Sequence, residues 1–104
     1  MTAYALFDNL SVEDEAGLAE YRSRVKAVVE RYGGRYVVVG GDWETLEGQR
    51  SLTFPVLIEF PDAEAARSWY HSDDYRPLRD LRQRSANVEA VLMATDDPTA
   101  LLDG

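Results

Sequence analysis

A chain of 104 residues carrying a net charge of −8 has room for a single hydrophobic core and lacks the basic surface that non-specific binding to nucleic acid or anionic membrane requires. It contains no cysteine, which excludes disulfides, thiol chemistry and cysteine metal sites.

The apolar fraction, 45% with 11% aromatic, is that of a folded globular chain. The opening MTAYALFDNL has no basic stretch followed by a long apolar run, so no signal peptide is expected. No segment approaches the roughly 20 apolar residues that span a bilayer, and a cytoplasmic protein is expected.

Residues 3–8 are short, apolar and aromatic, which predicts a first strand. Ser11 is placed to cap a helix whose first turn holds Glu13, Asp14 and Glu15, near the positive end of the helix dipole. Leu18, Tyr21, Val25, Val28, Val29 and Tyr32 recur at three- and four-residue intervals and form its apolar stripe. Gly33-Gly34 ends that helix. Residues 35–39 are β-branched and predict a second strand, which the pair Gly40-Gly41 could bend by a bulge into a continuation over 43–47. A polar turn follows over 47–51, then a third strand over 56–60, stopped by Pro61. Asp62 caps a helix with Ala65, Ala66, Trp69 and Tyr70; Ser72-Asp73-Asp74 breaks it. Pro77 suits the first turn of another short helix reaching about Arg84, and residues 87–94 form the last strand.

The order is β-α-β-β-α-β with a split second helix, a ferredoxin-like α+β fold built on one four-stranded antiparallel sheet with its helices on one face. The domain is expected over 1–95, with an acidic C-terminal tail over 96–104, mobile or laid on a partner. Alternation puts Ala5, Phe7, Val56, Ile58, Ala90 and Leu92 on one side, and Tyr4, Leu6, Leu57, Glu59, Val91 and Met93 on the other. The second side remains largely apolar where a solvated face should be polar. Two helices cannot cover both faces, so a homodimer pairing sheet against sheet is expected.

Tyr4, Tyr21, Gly33-Gly34-Arg35, Gly40, Glu47-Gly48, Glu59-Phe60-Pro61, Ala65-Ala66, Trp69-Tyr70, Ser72, Tyr75, Arg79 and Arg82 occur in an order and spacing that resembles the "domain of unknown function 1330" family. The likeness runs from Tyr4 to about Leu92. It departs from the family pattern after the last strand, where Thr95 stands in place of a glycine. The resemblance implies a dimeric α+β barrel closed by two facing sheets, and no particular reaction. Related dimeric barrels include haem-degrading and quinone-forming monooxygenases, an analogy at the level of fold.

Glu59 is the candidate catalytic residue. A carboxylate in mid-strand facing a closed barrel must be paired, hydrated or neutral, and can therefore be a general base or acid poised by burial. The competing expectation is a structural ion pair with Arg35, Arg79 or Arg82. Arg79 and Arg82 lie three residues apart on one helix face and suit a carboxylate, enolate or phosphate. Otherwise they bond Glu59, nearby carbonyls or the acidic loop at Asp73-Asp74. Tyr4 and Tyr75 complete the candidate substrate-binding set of Tyr4, Arg35, Tyr75, Arg79 and Arg82, while Tyr21 and Tyr70 are read mainly as packing. Trp69 is expected in the core or at an interface, and Trp43 at the dimer contact. His71 stands at a helix end, where an imidazolium complements the dipole, and without a second ligand it does not indicate a metal. No metal or cofactor is expected, and no phosphate loop, nucleophile elbow or dinucleotide fingerprint is present.

These readings combine into a homodimer binding a small anionic or carbonyl-bearing, partly apolar molecule between sheet and helices. Cofactor-independent proton transfer by Glu59 is the catalytic form of that expectation. A non-catalytic binding or interaction module is the first alternative. A monooxygenase-like relative acting on haem or a polyphenol is the second.

Overall fold

The computed structural model describes residues 2–102. Strand β1 (Ala3–Val12) leads into helix α1 (Glu15–Arg31) and strand β2 (Arg35–Val39). After a long loop come strand β3 (Pro55–Phe60), helices α2 (Ala63–Tyr70) and α3 (Arg76–Ser85), and strand β4 (Ala86–Ala94). The four strands form one antiparallel sheet in the order β2-β3-β1-β4. This is the ferredoxin-like arrangement expected from the sequence, with the second helix divided. No helix of the described residues is long and apolar enough to cross a membrane.

Register fixes which side chains share a face, because a one-residue slip would exchange the two faces. Ala5 stands opposite Ile58 and Phe7 opposite Val56, and this side meets Val25, Val28 and Val29 of α1, Ala66 and Trp69 of α2, and Leu78 of α3. The core thus lies between the sheet and three helices. On the other side Leu6 stands between Leu57 and Val91, and Tyr4 between Glu59 and Met93. That side is bare, and Val91 and Met93 are exposed.

The elements begin and end where local chemistry allows, with two departures from expectation. Asp62 caps α2 by accepting from Ala65 N at 2.8 Å. The cap of α1, however, is Asp14, which accepts from Gly17 N at 3.0 Å, and not Ser11. Ser11 is held in β1, which runs past Asp8 because β4 continues to pair with it beyond a register shift at Asn9/Ser11. The second departure is the segment after β2. It does not resume as a strand over 43–47; residues 40–54 are irregular. Gly40 and Gly41 both have positive φ (65° and 80°), which turns the chain out of the sheet, and the bulge falls earlier, between Tyr36 and Val38.

Helix α1 approaches α3 closely at Gly17, where a Cβ would collide with Ser85 Oγ. Glu13 N and Asp14 N both donate to Ser85 O, latching the entry of α1 onto the end of α3. This contact brings the middle of α1 over the first turn of α3. In the tail, Thr99 N and Oγ1 donate to Asp97 Oδ1 within a turn. The last two residues of the expected acidic tail, like Met1, lie outside the described residues.

Candidate ligand-binding site

The six candidate residues divide between the two faces of the sheet. Glu59 lies on the bare face, where Arg35, its direct cross-strand partner, donates from Nη2 to Oε2 at 2.7 Å. The Tyr4 hydroxyl reaches Oε1 at 3.4 Å. Its own hydrogen bond to Glu59 and the carboxylate charge hold the Arg35 guanidinium above its ordinary pKa. Arg35 and Glu59, without Tyr4, edge a shallow hollow of about 230 Å³ with Thr2, Gly33, Phe60 and Pro61.

Arg79, Arg82 and Tyr75 lie on the helix side. The expectation that Arg79 and Arg82 meet Glu59 is therefore corrected: the sheet separates them. Arg79 donates from Nη1 to Tyr70 O at 2.9 Å and stacks over the Tyr70 ring at 5.3 Å, which ties α3 to the end of α2. Arg82 turns inward, only 5% exposed, with its guanidinium over the Phe7 ring at 5.3 Å. No carboxylate among the described residues forms an ion pair with it. Its Nε donates to the Tyr75 hydroxyl at 3.3 Å, and its terminal nitrogens have no hydrogen-bond partner among the described residues.

Tyr75 is fully buried and is positioned by Ser72, whose Oγ donates to Trp69 O at 2.8 Å and accepts from Tyr75 N at 3.0 Å. One hydroxyl therefore closes α2 and starts α3. Because α1 is latched to α3, the Tyr21 and Tyr75 hydroxyls meet at 2.8 Å. When Tyr75 donates in that pair, a chain of donors runs from Arg82 through Tyr75 to Tyr21 and leaves the Tyr21 proton free. Burial, reinforced by Tyr75, pushes the Tyr21 hydroxyl well above its ordinary pKa, and burial does the same to Tyr36. At neutral pH both are hydrogen-bond donors and neither is a base.

Arg82 and Tyr21 open onto a cavity of about 360 Å³ between α1 and the sheet. Its walls are apolar (Leu18, Val25 and Val39 among them) and its charged lining residues are Arg22, Lys26 and Arg82, all cationic. Lys26 has a loose partner, Glu30, at 4.0 Å; Arg22 lies over the Phe54 ring. The lining has no carboxylate and no histidine, so it offers anion binding and hydrogen-bond donation but no general base. Sequence reasoning missed Tyr36, Arg22, Lys26 and Phe54. The usable signal was on α1, where Arg22 and Lys26 each follow a residue of the apolar stripe and so border its buried face.

Trp69 is 1% exposed and stacks on Tyr75 with ring centroids 4.2 Å apart, which places it in the core. Its indole N–H has no hydrogen-bond partner among the described residues, and it lines a second cavity of about 360 Å³ between α2 and β4. His71 is the C-cap of α2 at the edge of that cavity. Trp43 lies in the irregular loop, 41% exposed. No group of three histidine, aspartate or glutamate side chains among the described residues is gathered to hold a metal ion.

A sequence model described as domain of unknown function (DUF1330) matches residues 2–95. The chain belongs to the DUF1330 family. No curated protein matches it significantly in sequence. Among solved structures, this DUF1330 chain is similar to a protein of unknown function from Rhodopseudomonas palustris, with 18% identity, TM-score 0.70, and 93% and 84% of the two chains covered. A dimeric ferredoxin-like protein of unknown function from Jannaschia sp. CCS1 is similar at 13% identity and TM-score 0.61, covering 91% of this chain and 100% of that one. SnoaB, a cofactor-independent oxygenase from Streptomyces nogalater, is similar at 16% identity and TM-score 0.60 over 95% of each chain. At such identities the likeness establishes the ferredoxin-like fold of the DUF1330 chain and nothing of its chemistry.

Proposed function

We propose that this DUF1330 protein binds a small, partly apolar anion in the cleft between α1 and the sheet, with Arg82 as its anion contact. The observation that carries this reading is Arg82, a largely buried cation with no counter-charge among the described residues. An isolated charge taken out of water loses several kcal/mol of solvation unless a counter-charge or a set of hydrogen bonds replaces it. Among the described residues Arg82 has one hydrogen bond, to Tyr75, and no counter-charge, while Arg82 and Tyr21 line an apolar cavity that Arg22 and Lys26 also line. A carboxylate, enolate or phenolate with an apolar body supplies the missing charge and fills the space. The reading is one of binding, because the described residues that line the cleft include no carboxylate or histidine to take a proton at neutral pH.

Glu59 belongs, on this reading, to a cross-strand ion pair with Arg35 and has no part in the cleft. We also infer that two copies pair through the bare sheet face, as the dimeric ferredoxin-like relative supports. The oxygenase SnoaB supports a catalytic alternative only through shared fold.

Isothermal titration of phenylacetate against the neutral phenylacetamide tests the proposal. The acid is expected to bind and the amide not. Arg82→Gln should weaken acid binding by about tenfold or more, the worth of a charge-assisted contact. Glu59→Gln should leave it unchanged. The melting temperature of Arg82→Gln should change little, since the variant loses the Tyr75 hydrogen bond and the stacking on Phe7 together with a largely buried charge that has no counter-charge among the described residues. Equal binding of acid and amide, or acid binding indifferent to Arg82→Gln, would refute the reading.

A further inference from the structure

One end of the cleft is closed by Phe54, a side chain that the surrounding residues clamp without burying. Phe54 is 37% exposed and lines the cavity. Both backbone polar groups of Phe54 are fixed: its N–H donates to Asp8 Oδ1 at 2.9 Å, and its carbonyl accepts from Asn9 N at 3.0 Å and Asn9 Nδ2 at 3.1 Å. Asp8 is itself a buried carboxylate, 7% exposed, and it also accepts from Thr53 N. The ring lies against Gly40, where a Cβ would stand only 2.5 Å from Phe54 Cε1 and where φ is +65°. Gly40 N donates to Pro55 O at 2.7 Å, so this approach is held by backbone. From α1, the Arg22 guanidinium covers the ring at 5.6 Å from its centroid.

Three separate elements, β1, the end of β2 and α1, thus hold one aromatic ring that contributes little to the core. An aromatic side chain buries large area when packed inside, so one held half-exposed by both its own amide and its own carbonyl is placed for contact with something else. Register offsets Phe54 along the strand from the position that faces Phe7. Arg82 lies over Phe7, whose strand partner is Val56. Phe54 is two residues before Val56, roughly 7 Å along the strand.

We propose that Phe54 is the length-selecting wall of the cleft, so that the ligand is a carboxylate joined by a short link to one flat ring that ends against Phe54. The inference rests on the reading that Arg82 binds the anion, and it adds the size and shape of the apolar part. Residue 40 must remain glycine for the wall to stand where it does. Asp8 is a positioning residue, acting on the ligand only through the main chain of 53–54.

The test is a titration of phenylacetate, 3-phenylpropionate and 5-phenylpentanoate against the wild type, Phe54→Ala, Phe54→Leu, Gly40→Ala and the Gly40→Ala/Phe54→Ala pair. The wild type should prefer the two shorter acids. Phe54→Ala should raise the affinity of 5-phenylpentanoate relative to phenylacetate by about tenfold, the scale on which a pocket wall discriminates a methylene or two, with Phe54→Leu intermediate. Gly40→Ala should drive the ring inward and weaken the short acids, and removing Phe54 in the double variant should restore them. An unchanged length preference in Phe54→Ala, with binding still lost in Arg82→Gln, overturns the Phe54 assignment and leaves the anion site standing. Failure of the wild type to bind any of the acids overturns both.

Discussion

The two arginines nearest to candidate chemistry have opposite surroundings. Arg35 is largely exposed and grips Glu59 across the strands, a solvent-screened surface pair. Arg82 is buried with a hydroxyl and a phenyl ring for company, and its charge has no counterpart among the described residues. The tyrosine beside it gives a pH signature. Burial, with Tyr75, raises the Tyr21 pKa above the 10.0 of an ordinary tyrosine, so the folded chain keeps a proton that the unfolded chain gives up as the pH passes that value. A group raised in the folded state stabilises fully below its unfolded pKa and progressively less as pH rises above it. Tyr36 acts in the same sense. Urea midpoints measured between about pH 8 and pH 11 should therefore fall with rising pH, and Tyr21→Phe should flatten the fall. Parallel wild-type and Tyr21→Phe profiles would mean that the Tyr21 hydroxyl is not buried in the way described.

Among the elements, α2 depends most visibly on one side chain. It has only eight residues, and the Asp62 side chain satisfies one of the four amides that its first turn leaves unpaired. Asp62→Ala should cost about 1 kcal/mol. The denaturation midpoint should drop with an unchanged slope, read through the fluorescence of Trp69, which α2 carries. A change in slope would instead point to a loosened ensemble. Asp62 was legible in the sequence because a stop, Pro61, and a capping residue stand together there. The strands were legible by alternation and the α1 face by its period. Ser11 misled because its residue type fits a cap equally well; what keeps it in β1 is pairing with β4, a contact seventy-odd residues away in sequence that no local pattern records. Residues 43–47 misled because glycine pairs permit a bulge and a turn alike, and only the two positive φ angles separate them. At the site, Arg82 and Tyr75 stood out as polar groups on the short helices. The error was to join them to Glu59, although alternation had already put Glu59 beside Leu57 and Tyr4, on the face away from the helices. The Phe54 clamp was invisible, since it is assembled from three distant segments.

At the scale of the molecule, the bare face of the sheet remains. Leu6, Leu57, Val91 and Met93 form an apolar band across three strands, flanked by the Arg35–Glu59 pair and Tyr4. A band of that kind invites a second sheet, and a two-fold axis allows the same band to serve as both halves of the contact. Val91 gives the cleanest test because it is 56% exposed in the single chain. Replacing a residue this exposed usually changes the stability of an isolated chain by about 0.5 kcal/mol or less. In a face-to-face dimer an aspartate carboxylate at position 91 would be buried without a partner, at several times that cost. Sedimentation equilibrium of the wild type at micromolar concentration should give twice the 11.7 kDa of one chain, and Val91→Asp should give 11.7 kDa. A wild type that stays at the single-chain mass removes the dimer. The variant also separates assembly from binding. The cleft with Arg82 and Phe54 lies on the helix side of the sheet, and every residue assigned to it belongs to one chain, so monomeric Val91→Asp should still bind phenylacetate. Loss of binding together with the dimer would place part of the site on the partner, and the bare face would then be a wall of the pocket as well as an interface.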